Sequence, residues 1–238
     1  MKLIISCNQC NNLTNSKVEI VDDGTYHLTC ENGHTSVVFM QEQQFEILFE
    51  MGMLTLLDGY TREAVSSLAA SIERFHEFCI RMILAKNKID ANQVEQGWNL
   101  LSKQSERQLG AFYLLYLNEF KVSPPAIKNS WIKFRNDVIH KGHFAKEEKV
   151  IEYAKYLFEY MIGIIKTFRE ECWEGYGTVV TRNQENYYSK NSFEAGKISI
   201  MSSSTIFDLT NSEFSLETGT FENTLANLKA KINQVYSK

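Results

Sequence analysis

The chain has 238 residues, of which 44% are hydrophobic and 12% aromatic, so it can form a globular core in one large or two small domains. Its formal net charge of -4 excludes a bulk polycation, and any nucleic-acid binding must depend on a local basic patch. No apolar run approaches the ~20 residues needed to cross a bilayer, and residues 1–6 are too short for a signal peptide. We therefore expect a cytoplasmic protein without membrane contact.

Two closely spaced pairs of metal-ligand residues lie near the N-terminus. Cys7-x2-Cys10 is followed, nineteen residues later, by Cys30-x3-His34. Four soft or borderline ligands in two pairs suit a tetrahedral zinc ion, because a short spacing lets one tight turn present two ligands. His27 is an alternative fourth ligand, but its place within a predicted strand favours His34. Unrelated buried cysteines are the other interpretation, and the paired spacing argues against it.

Short strands are predicted around these ligand pairs. Apolar and polar residues alternate over residues 17–21 and 25–29, Asp23-Gly24 between them is a hairpin signal, and residues 35–40 can add a third strand. Residues 1–40 therefore resemble a zinc ribbon. A Zn²⁺ ion with four protein ligands has no open position, so this site is expected to be structural or a docking surface.

From Gln41 onward the apolar residues recur at the spacing of a helix, and we predict a helical bundle over residues 41–176. Gly59 separates the first two helices, Ser105 begins the fourth, and Pro124-Pro125 precede the fifth. The predicted helices cover residues 45–57, 61–86 and 92–103, then run from 105 through 117, from after Pro125 to about 141, and from 147 to about 173.

Residues 177–238 have a different composition, rich in Ser, Thr, Asn and Glu, and are predicted to form a mixed C-terminal extension. Short β-like pieces occur at residues 197–201 and 205–209. An amphipathic helix follows Thr220, its predicted N-cap. This helix either folds back on the bundle or binds a partner, and folding back is the simpler interpretation. The expected fold is mainly α, with a small β ribbon before the bundle and the mixed extension after it.

The predicted fifth helix ends in Arg135-Asn136-Asp137-Val138-Ile139-His140. Arginine is a forked cation suited to phosphate and histidine moves protons near neutral pH, so together they can bind and cleave a phosphodiester without a metal. At 100° per residue, Asn136 and His140 share one face, whereas Arg135 lies about 140° from His140 and must approach from the side. The bare spacing is common by chance, and a polar helix end without function is the alternative.

The charge around this helix differs from that of the whole chain. Residues 121–149 contain seven Lys or Arg and three acidic residues. This local positive surplus in an acidic protein suits an anionic ligand.

Arg135-Asn136-x3-His140, followed by Lys141-Gly142 between two long helices, resembles the HEPN superfamily, and the resemblance covers residues 41–175. It implies a metal-independent RNA endonuclease that acts as a homodimer, with two motifs lining one cleft. Members act in antiviral defence, toxin–antitoxin systems or RNA processing. The resemblance also implies catalytic roles for Arg135, Asn136 and His140, and an accessory acidic residue on an earlier helix that could fall at Glu73.

The implied reaction is attack of the ribose 2′-OH on the adjacent phosphorus, which leaves a 2′,3′-cyclic phosphate and a 5′-OH. His140 would act as general base or acid, Arg135 would stabilise charge on the phosphoryl oxygens, and Asn136 would orient His140 or the phosphate. The further side chains expected to bind RNA are Lys133, Lys141 and His143.

Two other hypotheses remain open at this point. A HEPN-like module could bind a partner or a nucleotide without cleavage, or a zinc-ribbon interaction protein could carry the motif by coincidence. A nuclease that harms its host requires restraint, so the first hypothesis also predicts a regulatory or antitoxin protein partner.

Overall fold

A computed structural model of the protein describes residues 2–3, 7, 9–10, 18–19, 21, 24–189, 198–202, 205–209 and 220–236. These residues are mainly helical with a small β part, as the sequence predicts. The chain divides into two compact units, one comprising residues 1–42 and 180–204 and the other residues 43–179 and 205–238. The predicted extension at residues 177–238 is thus shared between the two units and does not form a third.

Five strands are described in the first unit. They are β1 (Lys2–Leu3), β2 (Val18–Glu19), β3 (Thr25–Thr29), β4 (Thr35–Met40) and β5 (Ile198–Met201). β1 pairs with β2, and β3 pairs with β4, both antiparallel, while β5 adds to β4 in parallel. The strands predicted at residues 25–29, 35–40 and 197–201 are therefore confirmed.

The hairpin predicted between residues 17–21 and 25–29 is wrong, because β2 pairs with β1 and β3 turns back onto β4. Asp23 itself lies outside the described residues. The observed hairpin turn runs from Cys30 to His34, with the N–H of Cys30 donating to the carbonyl of His34 and that of Gly33 to the carbonyl of Cys30, both at 2.9 Å. Gly33 has φ of 78°, a left-handed conformation that glycine adopts without strain.

Helices make up most of the second unit. They are α1 (Gln44–Leu57), α2 (Thr61–Lys86), α3 (Ala91–Leu101), α4 (Ser105–Phe120), α5 (Asn129–Lys141), α6 (Glu147–Glu171), α7 (Tyr176–Tyr188), whose residues fall in both units, and α8 (Phe221–Tyr236), with a 3-10 turn at Trp173–Gly175. The predicted helices match α1 to α6 and α8 within a few residues, whereas α7 was not predicted. None of the described helices combines the length and apolar character that a membrane span requires.

The C-terminal part of the second unit folds back on the helical bundle. Phe207 stacks on Phe158 of α6 with ring centroids 5.6 Å apart, and the ring centroid of Phe221 of α8 lies 5.8 Å from that of Phe158. Residues 205–209 are not a strand, contrary to the prediction, because the buried carboxylate of Glu46 accepts hydrogen bonds from the Thr205 hydroxyl at 2.9 Å and the Leu209 N–H at 3.3 Å. The prediction that the last helix folds back is confirmed.

Helix α5 is held at both ends. Before it, the N–H of Lys128 donates to the Tyr156 hydroxyl of α6 at 2.9 Å, and the Tyr160 hydroxyl donates to the carbonyl of Pro125 at 3.2 Å. After it, Gly142 takes a left-handed φ of 69°, which ends the helix as expected for glycine at that position. The extended residues after Pro125 explain why α5 begins only at Asn129.

Candidate active site and metal centre

Arg135 is the centre of a polar cluster at the C-terminal half of α5. Its Nη1 donates to Oδ1 of Asn136 at 2.9 Å and lies 3.3 Å from Nε2 of His140. Its Nη2 donates to Oε1 of Glu73 on α2 at 2.7 Å. The three predicted catalytic residues and Glu73 therefore meet within a single chain.

The side-chain contact between Arg135 and His140 differs from the helical-wheel expectation. An angular separation of about 140° describes the directions in which the two side chains leave the helix. It does not include the reach of the arginine side chain, which brings the guanidinium to both Asn136 and His140. The salt bridge to Glu73 then holds it there.

The protonation pattern of the cluster follows from the donors and acceptors. A guanidinium has five N–H donors and no acceptor, so Nε2 of His140 accepts the hydrogen bond from Arg135. In this arrangement the imidazole is neutral and Nε2 carries a lone pair. His140 is exposed, and the side chains of Arg135 and Glu73 are 25% and 32% exposed, so the cluster faces solvent and can meet a substrate.

A cavity of about 180 Å³ adjoins this cluster. Residues of α2, α4, α5 and α6 line it, and Arg135 and Asn136 form part of its wall. Most of the remaining wall is apolar or aromatic, with Trp131 and Tyr153 among the larger side chains, and buried His76 also lines it. The candidate catalytic groups therefore lie at the edge of a partly open cavity.

The predicted RNA-binding residues lie near the end of α5 but do not join the cluster. Lys133, Lys141 and His143 are exposed, and none of the three makes a described hydrogen bond or ion pair to Arg135 or His140. Lys141 pairs with Asp137 at 2.7 Å. This hydrogen bond and the charge of Lys141 hold the pKa of Asp137 below its usual value.

The four predicted metal ligands come together in the first unit, and their donor atoms all lie within 4.8 Å of one another. The Sγ atoms of Cys10 and Cys30 are 3.8 Å apart, and Nδ1 of His34 lies 3.5 Å from Sγ of Cys30 and 3.8 Å from Sγ of Cys7. A tetrahedral zinc ion with usual bond lengths requires about 3.8 Å between two sulfurs and about 3.6 Å between sulfur and nitrogen. The cluster therefore fits a four-coordinate metal ion.

Two further observations support this ligand set. The pKa of the Cys7 thiol is lowered to about 6, and the main cause is hydrogen bonding from the backbone of Gln9. A lowered pKa favours the thiolate, which is the form that binds metals. His27 is exposed on β3 and is not a member of the cluster. Of the two histidines considered from the sequence, His34 is the one placed with the cysteines.

Some residues of the candidate active site were not found by sequence reasoning. Trp131 is half-buried and lines the cavity. Tyr153 and Gln108 also line it, and they come from helices for which the motif offers no signal.

No family model, curated protein or solved structure matches this chain. The HEPN resemblance therefore rests on the motif and its surroundings alone.

Proposed function

We propose that the protein is a metal-independent endoribonuclease of the HEPN type. The observation that carries this proposal is the contact of Arg135 with both Asn136 and His140 in a solvent-facing cluster. A forked cation and a neutral imidazole, already within hydrogen-bond distance, are the two groups that 2′-OH attack on a phosphodiester requires. Because the 2′-OH is the nucleophile, the enzyme cleaves RNA and spares DNA.

In the proposed reaction, Nε2 of His140 takes the proton of the ribose 2′-OH as its oxygen attacks phosphorus. Arg135 turns N–H donors toward the phosphoryl oxygens, where negative charge grows. The bond from phosphorus to the 5′ oxygen breaks, and that oxygen takes a proton from an imidazolium. That imidazolium is His140 itself, after it has taken the 2′-OH proton. The products are a 2′,3′-cyclic phosphate and a 5′-OH.

The proposal is tested by adding the purified protein to end-labelled RNA and to DNA of the same sequence in excess EDTA. We expect cleavage of RNA and none of DNA. Cleavage of DNA, or cleavage that requires an added divalent ion, would contradict the proposal.

Arg135→Ala is expected to lower kcat by about 10²–10³-fold, the usual loss when one stabilising donor is removed from a transition state. Arg135→Lys is expected to recover only part of the activity, because an ammonium ion cannot contact Asn136, Glu73 and the phosphate as a fork does. Single-turnover cleavage rates measure both effects. Full activity of Arg135→Ala would show that Arg135 has no role in the mechanism.

Glu73 is a positioning residue that acts through Arg135. Glu73→Ala is expected to lower kcat by about tenfold, because Arg135 loses the bond that holds it toward His140. Glu73→Gln keeps an acceptor oxygen and should retain more activity than Glu73→Ala. If thermal unfolding is unchanged and both variants keep the activity of the original protein, Glu73 has no role in positioning Arg135.

The salt bridge between Arg135 and Glu73 favours a second candidate function. A carboxylate at 2.7 Å already partners Arg135. A protein in which Arg135 never leaves this salt bridge to contact a phosphate would bind a partner or a nucleotide without cleaving RNA. In that case His140→Ala and Arg135→Ala leave binding of the partner intact, and no RNA is cleaved.

We also propose that the ion held by Cys7, Cys10, Cys30 and His34 is Zn²⁺ and that it is structural. All four positions of a tetrahedron are filled by protein donors, which leaves no place for a water or a substrate. The metal centre would stabilise the first unit and could help it bind RNA or a protein.

The setting of this activity is proposed to be the cytoplasm, in antiviral defence or a toxin–antitoxin system with a regulatory or antitoxin protein. None of the five cysteines, all of which are described, forms a disulfide, which suits a reducing compartment. The proposed homodimer would place two copies of the motif at one cleft.

A further inference from the structure

The cavity beside Arg135 has the size of a site for one ring system. Its volume of about 180 Å³ is below the roughly 300–1,000 Å³ of pockets that take drug-sized ligands. Arg135 and Asn136 line it together with Trp131 and Tyr153. A ligand in this cavity would therefore be in reach of the groups proposed to bind phosphate.

Aromatic rings with lysine side chains against them lie beside α5 and α6, and two of these rings, Trp131 and Tyr153, line the cavity. The ring centroid of Trp131 lies 5.6 Å from that of Tyr153 and 5.8 Å from that of Tyr156, on which it stacks. The Nζ atom of Lys149 lies 4.4 Å from the centre of the Trp131 ring, and that of Lys128 lies 5.4 Å from the centre of the Tyr156 ring. Aromatic faces with nearby cations are the surface on which single-stranded nucleic acids stack their bases and place their phosphates.

Buried His76 supplies a hydrogen-bond acceptor in the cavity lining. The Tyr160 hydroxyl has one proton and donates it to the carbonyl of Pro125 at 3.2 Å. With that proton given to Pro125, Nε2 of His76, 3.0 Å from the hydroxyl oxygen, is the donor of their shared hydrogen bond in the matching tautomer. Burial lowers the pKa of His76 to about 3, so the ring is neutral and Nδ1 is left as an acceptor.

Acidic groups around the cavity do not exclude a nucleotide. The charge of Glu73 is compensated by Arg135 at 2.7 Å. Glu106 is exposed on α4 and lines the cavity, so its carboxylate is a second acceptor for an N–H donor. Glu106 accepts from the Ser105 hydroxyl at 3.5 Å, and its remaining lone pairs together with Nδ1 of His76 are acceptors that favour a ring with an amino group.

We propose that this cavity binds one nucleobase of an RNA strand, next to the phosphodiester held by Arg135 and His140, and prefers a base with an exocyclic amino group over uracil. This inference rests on the proposed function, because it takes RNA as the ligand. Trp131 and Tyr153 contact the base from one side, and His76 and Glu106 accept from its amino group. The protein would then select its cleavage position by the base in this cavity.

The test uses nonamers of 2′-fluoro RNA, which lack the attacking hydroxyl and are not cleaved. Each has uracil at every position except the central one, which is adenine, cytosine, guanine, uracil or abasic. We expect fluorescence anisotropy to show that the three amino-bearing bases bind at least about fivefold more tightly than the abasic nonamer, the lower end of what one stacked base contributes. Uracil should bind more weakly than these three.

Ile132→Trp fills the cavity from its rim, where Ile132 is 38% exposed and lines the cavity, and should erase the base preference while leaving the affinity for the abasic nonamer unchanged. Leu109→Phe, on the α4 wall, should do the same. The matched control is Leu117→Trp, an exposed α4 position outside the lining, which should keep the preference.

Equal binding of all five nonamers, a preference that survives both filling variants, or no binding at all would overturn the inference. Cleavage of ordinary RNA is measured in parallel. Base-dependent binding without cleavage rejects the proposed nuclease and leaves the inference standing. Cleavage with base-independent binding rejects the inference alone.

Discussion

Replacing His140 with alanine is expected to reduce RNA cleavage by about 10²–10⁴-fold, the contribution of a positioned general acid or base. The reason is local: His140 Nε2 accepts from Arg135 at 3.3 Å, so its lone pair lies beside the cation that would hold the phosphate. Because His140 is exposed, its loss should leave the fold intact, and circular dichroism and the thermal midpoint should be unchanged.

His143→Ala is the matched control for this measurement. His143 is also exposed and follows the same helix, but it makes no described contact with Arg135. We expect it to raise KM at most modestly and to leave kcat unchanged. If His140→Ala and His143→Ala have the same kcat as the original protein, the proposed catalytic role of His140 is wrong.

Removal of the metal is expected to have the largest effect on stability. Structural zinc contributes about 10–16 kcal/mol to the folding of small zinc domains, which is as large as the whole stability of a typical domain. The described part of the first unit contains only short strands and the C-terminal part of α7, so its folding should depend on the ion. Cys7→Ser is expected to lower the zinc content from about one per chain to near zero.

Hydrogen exchange of the backbone amides measures how the same substitution affects the structure. In Cys7→Ser, the amides of β3 and β4 should lose their protection, whereas those of α2 and α6 should keep theirs. His27→Ala is the control, because His27 lies on β3 outside the ligand cluster, and it should keep both the zinc and the protection. Retention of stoichiometric zinc by Cys7→Ser would show that the ion is held elsewhere.

The helices of the second unit were predictable because their signals are local. Periodic apolar residues mark α1, α2 and α6, and Gly59, Pro124-Pro125 and Gly142 mark the breaks between helices. The ligand spacing predicted the metal cluster for the same reason, since each pair of ligands sits in a short segment of chain.

What the sequence did not predict depends on contacts between distant segments. The parallel pairing of β5 with β4 joins residues about 160 positions apart in the sequence. β2 pairs with β1, although β3 is nearer to it in the sequence. α7 has few apolar residues. In the candidate active site, the contact of Glu73 with Arg135 spans 62 residues, and the cavity exists only once four helices pack.

The measurement that tests the central claim most directly is the chemical identity of the cleaved ends. RNA with one cleavable position is incubated with the protein in excess EDTA, and the fragments are analysed by mass spectrometry, alongside the same RNA with a single 2′-deoxy nucleotide at that position. The proposed chemistry of Arg135 and His140 predicts a 2′,3′-cyclic phosphate and a 5′-OH, and no cleavage of the 2′-deoxy substrate. A 5′-phosphate product, or cleavage of the 2′-deoxy substrate, would contradict it.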